Sequence, residues 1–216
     1  MNLLLISATK HEADIIIKDL GMKQIKPSLY SSSTHKTDLL LTGIGIPATL
    51  FSMFTDVDIR KYDLLINIGV AGSFNKNAKI GDILNVSSDS FGDIGINSKN
   101  GFLSVFKTEF NDKFKNLINN GQILNTSDFP AFFHALPKCK GVSVNLPEAM
   151  LYPQTDVETM EGAAFMLVCK HYKKVFIQIR GISNIIGYTQ RKDWDMNTPI
   201  KNYSEYIIEF IEKNKQ

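Results

Sequence analysis

Two glutamates, an arginine and an asparagine follow apolar runs at places where their side chains can converge. Glu12 comes after the first run, Glu161 stands in the stretch Val-Glu-Thr-Met-Glu-Gly, and Arg180 and Asn184 lie in Gln178-Ile-Arg-Gly-Ile-Ser-Asn. Carboxylates can stabilise a developing positive charge or take a proton from water, and an amide both donates and accepts hydrogen bonds. The sequence therefore predicts a site that binds and transforms a polar organic molecule.

The elements that must position these residues alternate between strand and helix. Continuous apolar runs, typical of strands covered on both faces, are Leu3–Ala8, Leu39–Thr42, Leu64–Gly69, Ile83–Val86 and Val175–Ile182. The helix-like segments are His11–Leu20, Ala48–Phe54, Asn111–Asn119, Gly162–Tyr172 and Asn202–Lys213. This alternation predicts an α/β fold, a single-domain three-layer sandwich over residues 1–216 with a central mixed, largely parallel sheet. The polar stretch Ser88–Asn100 is predicted to be a long loop.

Small residues follow several of the predicted strands. Thr42-Gly-Ile-Gly45 comes after the second run and Asn67-Ile-Gly-Val-Ala-Gly72 includes the end of the third. Ligands of open α/β sheets bind at the carboxyl ends of strands, where glycines allow a ligand to approach the backbone. Each motif taken singly is also what an ordinary tight turn requires.

Composition excludes several classes of function. The 216 residues are 44% hydrophobic and 21% charged, and the net charge of +2 is spread without a block of either sign, which argues against nucleic-acid and membrane partners. Two distant cysteines and four scattered histidines give no metal-binding spacing. The apolar start of the chain is too short for a membrane span and lacks a basic leader. We therefore expect a cytoplasmic protein without metal or cofactor, with Cys169 as a buried thiol on a helix.

As an ordered set, the motifs resemble the purine nucleoside phosphorylase and nucleosidase superfamily. The set is Ser-Ala-x-x-x-Glu12, Thr-Gly-Ile-Gly45, Asn-Ile-Gly-Val-Ala-Gly72, Gly81-Asp-Ile, Met-Glu161-Gly-Ala and Ile-Arg-Gly-Ile-Ser-Asn184. Within the superfamily, the chain resembles the futalosine hydrolases of menaquinone biosynthesis. That second resemblance rests on Glu-Thr-Met-Glu-Gly, Ile-Ser-Asn, Gly141-Val-Ser-Val-Asn145 and Arg191-x-x-Trp194. Together the matching stretches run from Leu3 to about Trp194.

The resemblance implies a nucleoside phosphorylase-like fold and the hydrolysis of a purine–ribose bond with water as nucleophile. It implies that Glu161 binds the ribose hydroxyls, that Glu12 activates the water and that Arg180 assists. Asn184 stands where adenine-specific nucleosidases carry aspartate, and its amide suits a 6-oxopurine such as hypoxanthine. The other substrate contacts that the resemblance implies are Gly45, Val70, Ala71, Gly72, Asn145, Met160 and Arg191. A homodimer or higher homo-oligomer is also implied.

Other interpretations remain open at the level of sequence. Glu12 and Glu161 can be helix acids that interact with the macrodipole, Arg180 can form a structural ion pair, and Asn184 can cap a turn. A methylthioadenosine/S-adenosylhomocysteine nucleosidase and a catalytically silent nucleoside-binding protein are the alternative functions. Five phenylalanines are candidates for a pocket at the 5′ end of the sugar, although burial in the core or in an interface is the commoner fate of this residue type. They are Phe102, Phe106, Phe129, Phe132 and Phe133.

Overall fold

The computed structural model describes residues 1–99, 101–147, 152 and 154–214, apart from the side chains of residues 98, 110, 111 and 191. The strands are β1 (Leu3–Ser7), β2 (Lys23–Lys26), β3 (Leu29–Ser32), β4 (Thr37–Leu41), β5 (Leu64–Ser73), β6 (Ile83–Asp89), β7 (Gly95–Ser98), β8 (Gly101–Ser104), β9 (Ile123–Leu124), β10 (Lys138–Ser143), β11 (Val157–Thr159) and β12 (Val175–Ile185). The helices are α1 (Lys10–Asp19), α2 (Ile46–Thr55), α3 (Gly162–His171) and α4 (Asn197–Lys213). Short 3-10 turns join several of them.

One mixed sheet runs through the described chain in the order β11-β10-β6-β12-β5-β1-β4-β3-β2. Strand β5 lies parallel to both β1 and β12, whereas β12 and β6 run antiparallel. The short strand β11 pairs in parallel with β10 and in antiparallel with β5. That last pairing closes β5, β12, β6, β10 and β11 into a ring, and it places the ends of β5, β11 and β12 beside one another.

Helices cover both faces of the sheet. Neighbouring residues of a strand point to opposite faces, so Leu65 and Ile66 of β5 belong to two separate clusters of buried side chains. The cluster with Leu65 contains residues of α2 and α3, such as Met53 and Phe165, and the cluster with Ile66 contains residues of α1 and α4. The predicted α/β sandwich with a central mixed sheet is confirmed. Its organisation as one domain over residues 1–216 stays a prediction.

The structure corrects two predicted segments. Asn111–Asn119 is not an α-helix, because a 3-10 segment, Glu109–Phe114, precedes an irregular turn. Its apolar residues are nevertheless packed on the core, as their spacing indicates, and Ile118 is buried. The predicted loop Ser88–Asn100 contains the end of β6 and all of β7, which forms a hairpin with β8. Residue 100 lies outside the described residues.

The structure also places the glycines of the third apolar run, Cys169 and the helices. Gly69 and Gly72 lie within β5 rather than in a turn, because that strand continues to Ser73. Cys169 is fully buried on α3, which confirms its interpretation as a buried thiol. Within the described ranges, no helix has the length and apolar character needed to cross a membrane.

Candidate active site

A cavity of about 410 Å³ opens at the carboxyl ends of β1, β5, β11 and β12. This is the edge of the sheet at which the sequence predicts ligand binding. The described residues that line it are Ala8, Thr9, Glu12, Ile44, Val70, Ala71, Gly72, Pro147, Glu158, Thr159, Met160, Glu161, Ser183, Asn184, Trp194 and Met196. The cavity thus brings together seven of the predicted site residues from four separate parts of the chain. They are Glu12, Val70, Ala71, Gly72, Met160, Glu161 and Asn184.

Glu161 is fixed at the junction between β11 and α3. It is the N-cap residue of α3, and its Oε1 accepts a hydrogen bond of 2.9 Å from the backbone N–H of Gly45. Gly45 itself has a φ of 92°, a conformation that favours glycine, and it begins α2. Burial raises the pKa of Glu161 above its usual range, against the opposing influence of the Arg180 charge and of the Gly45 hydrogen bond. The carboxylate is therefore positioned by the backbone and partly desolvated.

Glu12 has both a structural and a site-facing role. In the first turn of α1 it forms a capping box with Thr9: the Glu12 N–H donates to Thr9 Oγ1 at 3.3 Å and the Thr9 N–H donates to Glu12 Oε2 at 3.1 Å. The Thr9 hydroxyl also donates to Oε2 at 2.8 Å. The other carboxylate oxygen, Oε1, accepts the backbone N–H of Val70, within β5, at 3.2 Å. Glu12 is therefore a helix acid, as one of the sequence-based interpretations held. The same residue also lines the cavity.

Arg180 lies beneath the cavity rather than on its wall. It is 1% exposed and its guanidinium donates to the backbone oxygens of Asn67 and Ile179 and to Asn67 Oδ1. Its Nε has no hydrogen-bond partner among the described residues. A Cβ at Gly69 would lie 2.9 Å from Glu12 Oε1 and 3.8 Å from Arg180 Nε. The absence of a side chain at Gly69 therefore lets the carboxylate and the guanidinium approach the same point.

Asn184 closes the cavity at the end of β12. It is 2% exposed, and its Oδ1 accepts a hydrogen bond of 2.9 Å from the neighbouring Ser183 hydroxyl. Gly72 of β5 pairs with Asn184 on one side and with Glu158 of β11 on the other. A Cβ at Gly72 would lie 3.1 Å from Asn184 Nδ2, so glycine keeps this part of the cavity open.

Several predicted contacts do not line the cavity. Gly45 acts through its N–H to Glu161, and Asn145 is held by Asp93 through its backbone and side-chain nitrogens. The side chain of Arg191 lies outside the described part of the chain. The five phenylalanines proposed for the 5′ pocket also lie away from the cavity walls that the structure describes, with Phe133 and Phe132 packed against Phe210 of α4.

Sequence reasoning missed Glu158, which is buried and lines the cavity beside Thr159. It also gave no site role to Trp194 or Met196, which form part of the cavity wall. The Val-Glu-Thr-Met-Glu stretch contains both glutamates, but only the three-residue strand β11 shows which side chains face inward. Across the residues described, no group of three or more histidine, cysteine or acidic side chains is arranged to hold a metal ion.

A buried polar network supports the β11–α3 junction. Ser143 Oγ donates to Asp89 Oδ1 at 3.0 Å and accepts the backbone N–H of Ala163 at 2.8 Å, while Gln178 Nε2 donates to Asp89 Oδ2 at 3.0 Å. A Cβ at Gly162 would lie 2.1 Å from Gln178 Nε2 and 2.2 Å from Asp89 Oδ2. The glycine after Glu161 is therefore required for the first turn of α3 to rest on this network.

Asp89→Asn is expected to change how stability depends on pH. Burial raises the pKa of Asp89 to about 6 from its usual 3.8, so the folded protein binds this proton more tightly than the unfolded chain does. Ionisation of Asp89 then lowers the free energy of unfolding as pH rises from about 4 to about 6, by about 2–3 kcal/mol. The asparagine variant lacks this loss, and its amide can donate to Gln178 Oε1, which has no partner in the described structure.

Urea unfolding of both proteins at pH 4, 5, 6 and 7 measures the effect. The difference in the free energy of unfolding should move in favour of the variant through that window and stay constant above it. Any constant offset reports altered hydrogen bonds. Parallel pH profiles would show that Asp89 does not titrate there.

Comparison with known proteins gives a fold but no sequence family. No family model matches the chain, and no curated protein matches it in sequence. Solved structures of purine nucleosidases, in contrast, superpose over nearly its whole length. The chain therefore has the nucleoside phosphorylase-like fold that the motifs led us to expect.

Three of these structures show the extent of the likeness. The futalosine hydrolase of Helicobacter pylori strain 26695 has a TM-score of 0.77 at 14% identity, covering 98% of this chain and 97% of its own. The 5′-methylthioadenosine/S-adenosylhomocysteine nucleosidase of Campylobacter jejuni has a TM-score of 0.75 at 18% identity, with 99% of each chain covered. The corresponding nucleosidase of Colwellia psychrerythraea, in complex with adenine, has a TM-score of 0.75 at 20% identity and covers 99% and 95%. At such identities the likeness establishes the fold alone.

Proposed function

We propose that this protein hydrolyses the N-ribosidic bond of a 6-oxopurine nucleoside, with futalosine as the leading substrate. The observation that carries the proposal is the convergence of Glu12, Glu161 and Asn184 on one cavity at the strand ends. It is supported by solved nucleosidases of the same fold, one of which is in complex with adenine. A base, a sugar-binding acid and an amide are the groups that this reaction uses.

Cleavage of a ribose–purine bond passes through a sugar with oxocarbenium character. Glu161 accepts hydrogen bonds from the ribose 2′- and 3′-hydroxyls, and its negative charge lies beside the developing positive charge. Its Oε1 is already held by the Gly45 N–H, so little reorganisation is needed as charge develops. Partial burial strengthens this electrostatic interaction because it reduces the screening by water.

The attacking water is bound between Glu12 and Arg180. Glu12 takes its proton, and Arg180 Nε donates to its oxygen, which provides the partner that this buried nitrogen lacks among the described residues. Gly69 supplies the space in which the two groups approach each other. No lysine or arginine occurs among the described residues lining the cavity, which favours water over phosphate as nucleophile.

Asn184 determines which base is accepted. Its Nδ2 can donate to N7 or O6 of a 6-oxopurine, whereas its Oδ1 is oriented by the Ser183 hydroxyl. The Ser183 hydroxyl holds the amide oxygen, and we propose that the amide nitrogen donates to the base. This arrangement favours hypoxanthine as the product.

A second candidate function is the hydrolysis of methylthioadenosine or S-adenosylhomocysteine. It is favoured by the apolar walls of the cavity, where Ile44, Met160, Trp194 and Met196 suit the uncharged methylthio arm of methylthioadenosine. Futalosine carries a carboxylated arm, and we propose Arg191 as its partner. Asn184 in place of aspartate is the feature that ranks this second candidate below the first.

A substrate panel tests the proposal. Purified protein is incubated with futalosine, inosine, methylthioadenosine and S-adenosylhomocysteine, with and without phosphate, and the released base and sugar are followed. We expect hypoxanthine release from futalosine at a rate independent of phosphate. Adenine release without hypoxanthine release would support the second candidate, and formation of a sugar phosphate would identify a phosphorylase.

The variant Asn184→Asp sharpens the same assay. A carboxylate accepts a hydrogen bond from the exocyclic amine of adenine but offers no donor to O6, so selectivity should move toward adenine by about tenfold or more. Binding of all four nucleosides without release of any base would instead indicate a catalytically silent nucleoside-binding protein.

We also propose that the chain forms a homo-oligomer that covers the mouth of the cavity. Ile44, Phe51, Phe54 and Leu146 are exposed, and Ile44 is a wall residue of the cavity. Exposed large apolar side chains of this kind are typical of an interface between subunits. Light scattering that gives the molar mass of one chain would exclude the proposal.

A further inference from the structure

Ser143 lies beside the corner of the chain that carries Glu161. Strand β11 ends at Thr159 and α3 begins at Gly162, so Met160 and Glu161 form the corner between them. Ser143 is the last residue of β10, is fully buried and pairs with Thr159. It is not among the described residues that line the cavity, so any effect of Ser143 on a ligand passes through its neighbours.

The Ser143 hydroxyl holds both sides of this corner. Its Oγ accepts the backbone N–H of Ala163, in the first turn of α3, at 2.8 Å. The same Oγ lies 2.9 Å from Oγ1 of Thr159, at the end of β11. One buried atom thus joins the end of the strand to the start of the helix across residues 160–162. A shift of either side breaks a buried hydrogen bond, which is costly because no water replaces it.

Asp89 fixes the direction of these hydrogen bonds. Its Oδ1 accepts the backbone N–H of Ser90 at 2.8 Å and the hydroxyl of Ser143 at 3.0 Å. A hydroxyl has a single hydrogen, and Ser143 gives it to Asp89. Ser143 therefore accepts from both Ala163 and Thr159. Its donor and both of its acceptor positions are used, and a fully satisfied buried network of this kind is rigid.

We infer that Ser143, oriented by Asp89, is a positioning residue for Glu161. This inference rests on the proposed function, in which Glu161 binds the ribose hydroxyls. The Gly45 N–H holds the Glu161 carboxylate, and the two hydrogen bonds to Ser143 hold the backbone on either side of it. Hydrogen bonds weaken steeply with distance and angle, and a misplacement of about 1 Å can lower a rate about 10²-fold. Loss of the Ser143 hydroxyl therefore affects the ribose without a direct contact.

Two substitutions remove these hydrogen bonds to different extents. Ser143→Ala removes the hydrogen bonds to both sides of the corner, whereas Thr159→Val removes only the one to β11 and nearly keeps the size of the side chain. Ser32→Ala is the matched control, because Ser32 is also a buried serine and its hydroxyl donates to the backbone oxygen of Leu20. Ser32 lies on β3, away from the cavity walls that the structure describes. Thermal unfolding curves show whether each variant is folded.

The readout is the preference of the site for a sugar that carries its 2′- and 3′-hydroxyls. Inhibition constants of inosine and 2′,3′-dideoxyinosine are measured against hydrolysis of the preferred nucleoside, or those of the adenosine pair if the wild type releases adenine. The wild type should bind the ribonucleoside about tenfold or more tightly, because a carboxylate accepts strong hydrogen bonds. This ratio should fall toward one in Ser143→Ala and Thr159→Val and stay at the wild-type value in Ser32→Ala. Calorimetry with the same two ligands replaces the assay for a variant without turnover.

A general loss of folded protein changes both constants alike, so the ratio separates positioning from stability. A wild-type ratio in folded Ser143→Ala would overturn the inference, while base release by the wild type leaves the proposed function standing. If Ser143→Ala does not fold, Thr159→Val decides in the same way. An equal fall of the ratio in Ser32→Ala would also overturn the inference. Absence of base release from every nucleoside by the wild type would overturn both.

Discussion

Glu161→Gln is expected to lower kcat/KM for nucleoside hydrolysis by about 10²–10³-fold. Glutamine has the same size and keeps an oxygen to accept the Gly45 N–H, so the junction between β11 and α3 should fold normally. What it loses is the negative charge beside the developing oxocarbenium ion. Steady-state kinetics with the preferred nucleoside and a thermal unfolding curve measure the two properties separately.

The control for this substitution is Glu205→Gln on the exposed face of α4, where the carboxylate lies 3.8 Å from Lys201. That change should leave the rate unaltered. Because burial raises the pKa of Glu161, the wild-type rate should fall on the acid side at a pH above the usual glutamate value of 4.5. A Glu161→Gln protein with nearly normal kcat/KM would show that the acid is only a helix cap residue.

The position of the site was predictable because it depends on strand order and strand ends. Glu12, Asn184 and the Val70–Gly72 segment follow or end apolar runs, and parallel strands bring their carboxyl ends to one edge. Continuous apolar runs also predicted the central strands β1, β5 and β12 within a few residues. Apolar runs and the residues that follow them are visible in the local sequence, so these parts of the site could be predicted from it.

Glu158 was not predictable for the opposite reason. Its inward orientation depends on an antiparallel pairing between β11 and Gly72, two segments far apart in the sequence. A strand of three residues has too little periodicity to show which face is buried. From the sequence, Glu161 was therefore the only glutamate of the Val-Glu-Thr-Met-Glu-Gly stretch to receive a role in the site.

In the segment Asn111–Asn119, the spacing of apolar residues predicted their burial correctly but predicted an α-helix wrongly. Phe114, Leu117 and Ile118 have helical spacing and do contact the core. Asparagine is a poor helix former, and Asn120 adopts a φ of 48°, so the chain turns instead of continuing as an α-helix. Packing of three apolar residues does not require a regular helix.

Glu12→Gln is expected to lower kcat by about 10²–10⁴-fold. Stability should fall by about 1–3 kcal/mol, because the amide nitrogen cannot accept the Val70 N–H that now binds Oε1. A capping box accepts glutamine as well as glutamate at this position, so the helix start at Thr9 should be retained. An amide cannot take a proton from water, and the nucleophile would stay unactivated. Kinetics together with urea unfolding at pH 7 test both halves of this expectation.

Two further substitutions distinguish the role of Glu12 in capping α1 from its role in activating water. Thr9→Ala removes the hydroxyl that donates to Glu12 Oε2 and should cost about 0.5–2 kcal/mol of stability while the carboxylate remains in the cavity. Glu12→Ala should lose both stability and rate, and added formate should restore part of the rate by replacing the missing carboxylate. If Glu12→Gln has the same kcat as the wild type, the Glu12 carboxylate only caps α1. Another group must then act as the general base. Full activity would then move the search to Glu158, the remaining buried acid among the described residues of the cavity wall.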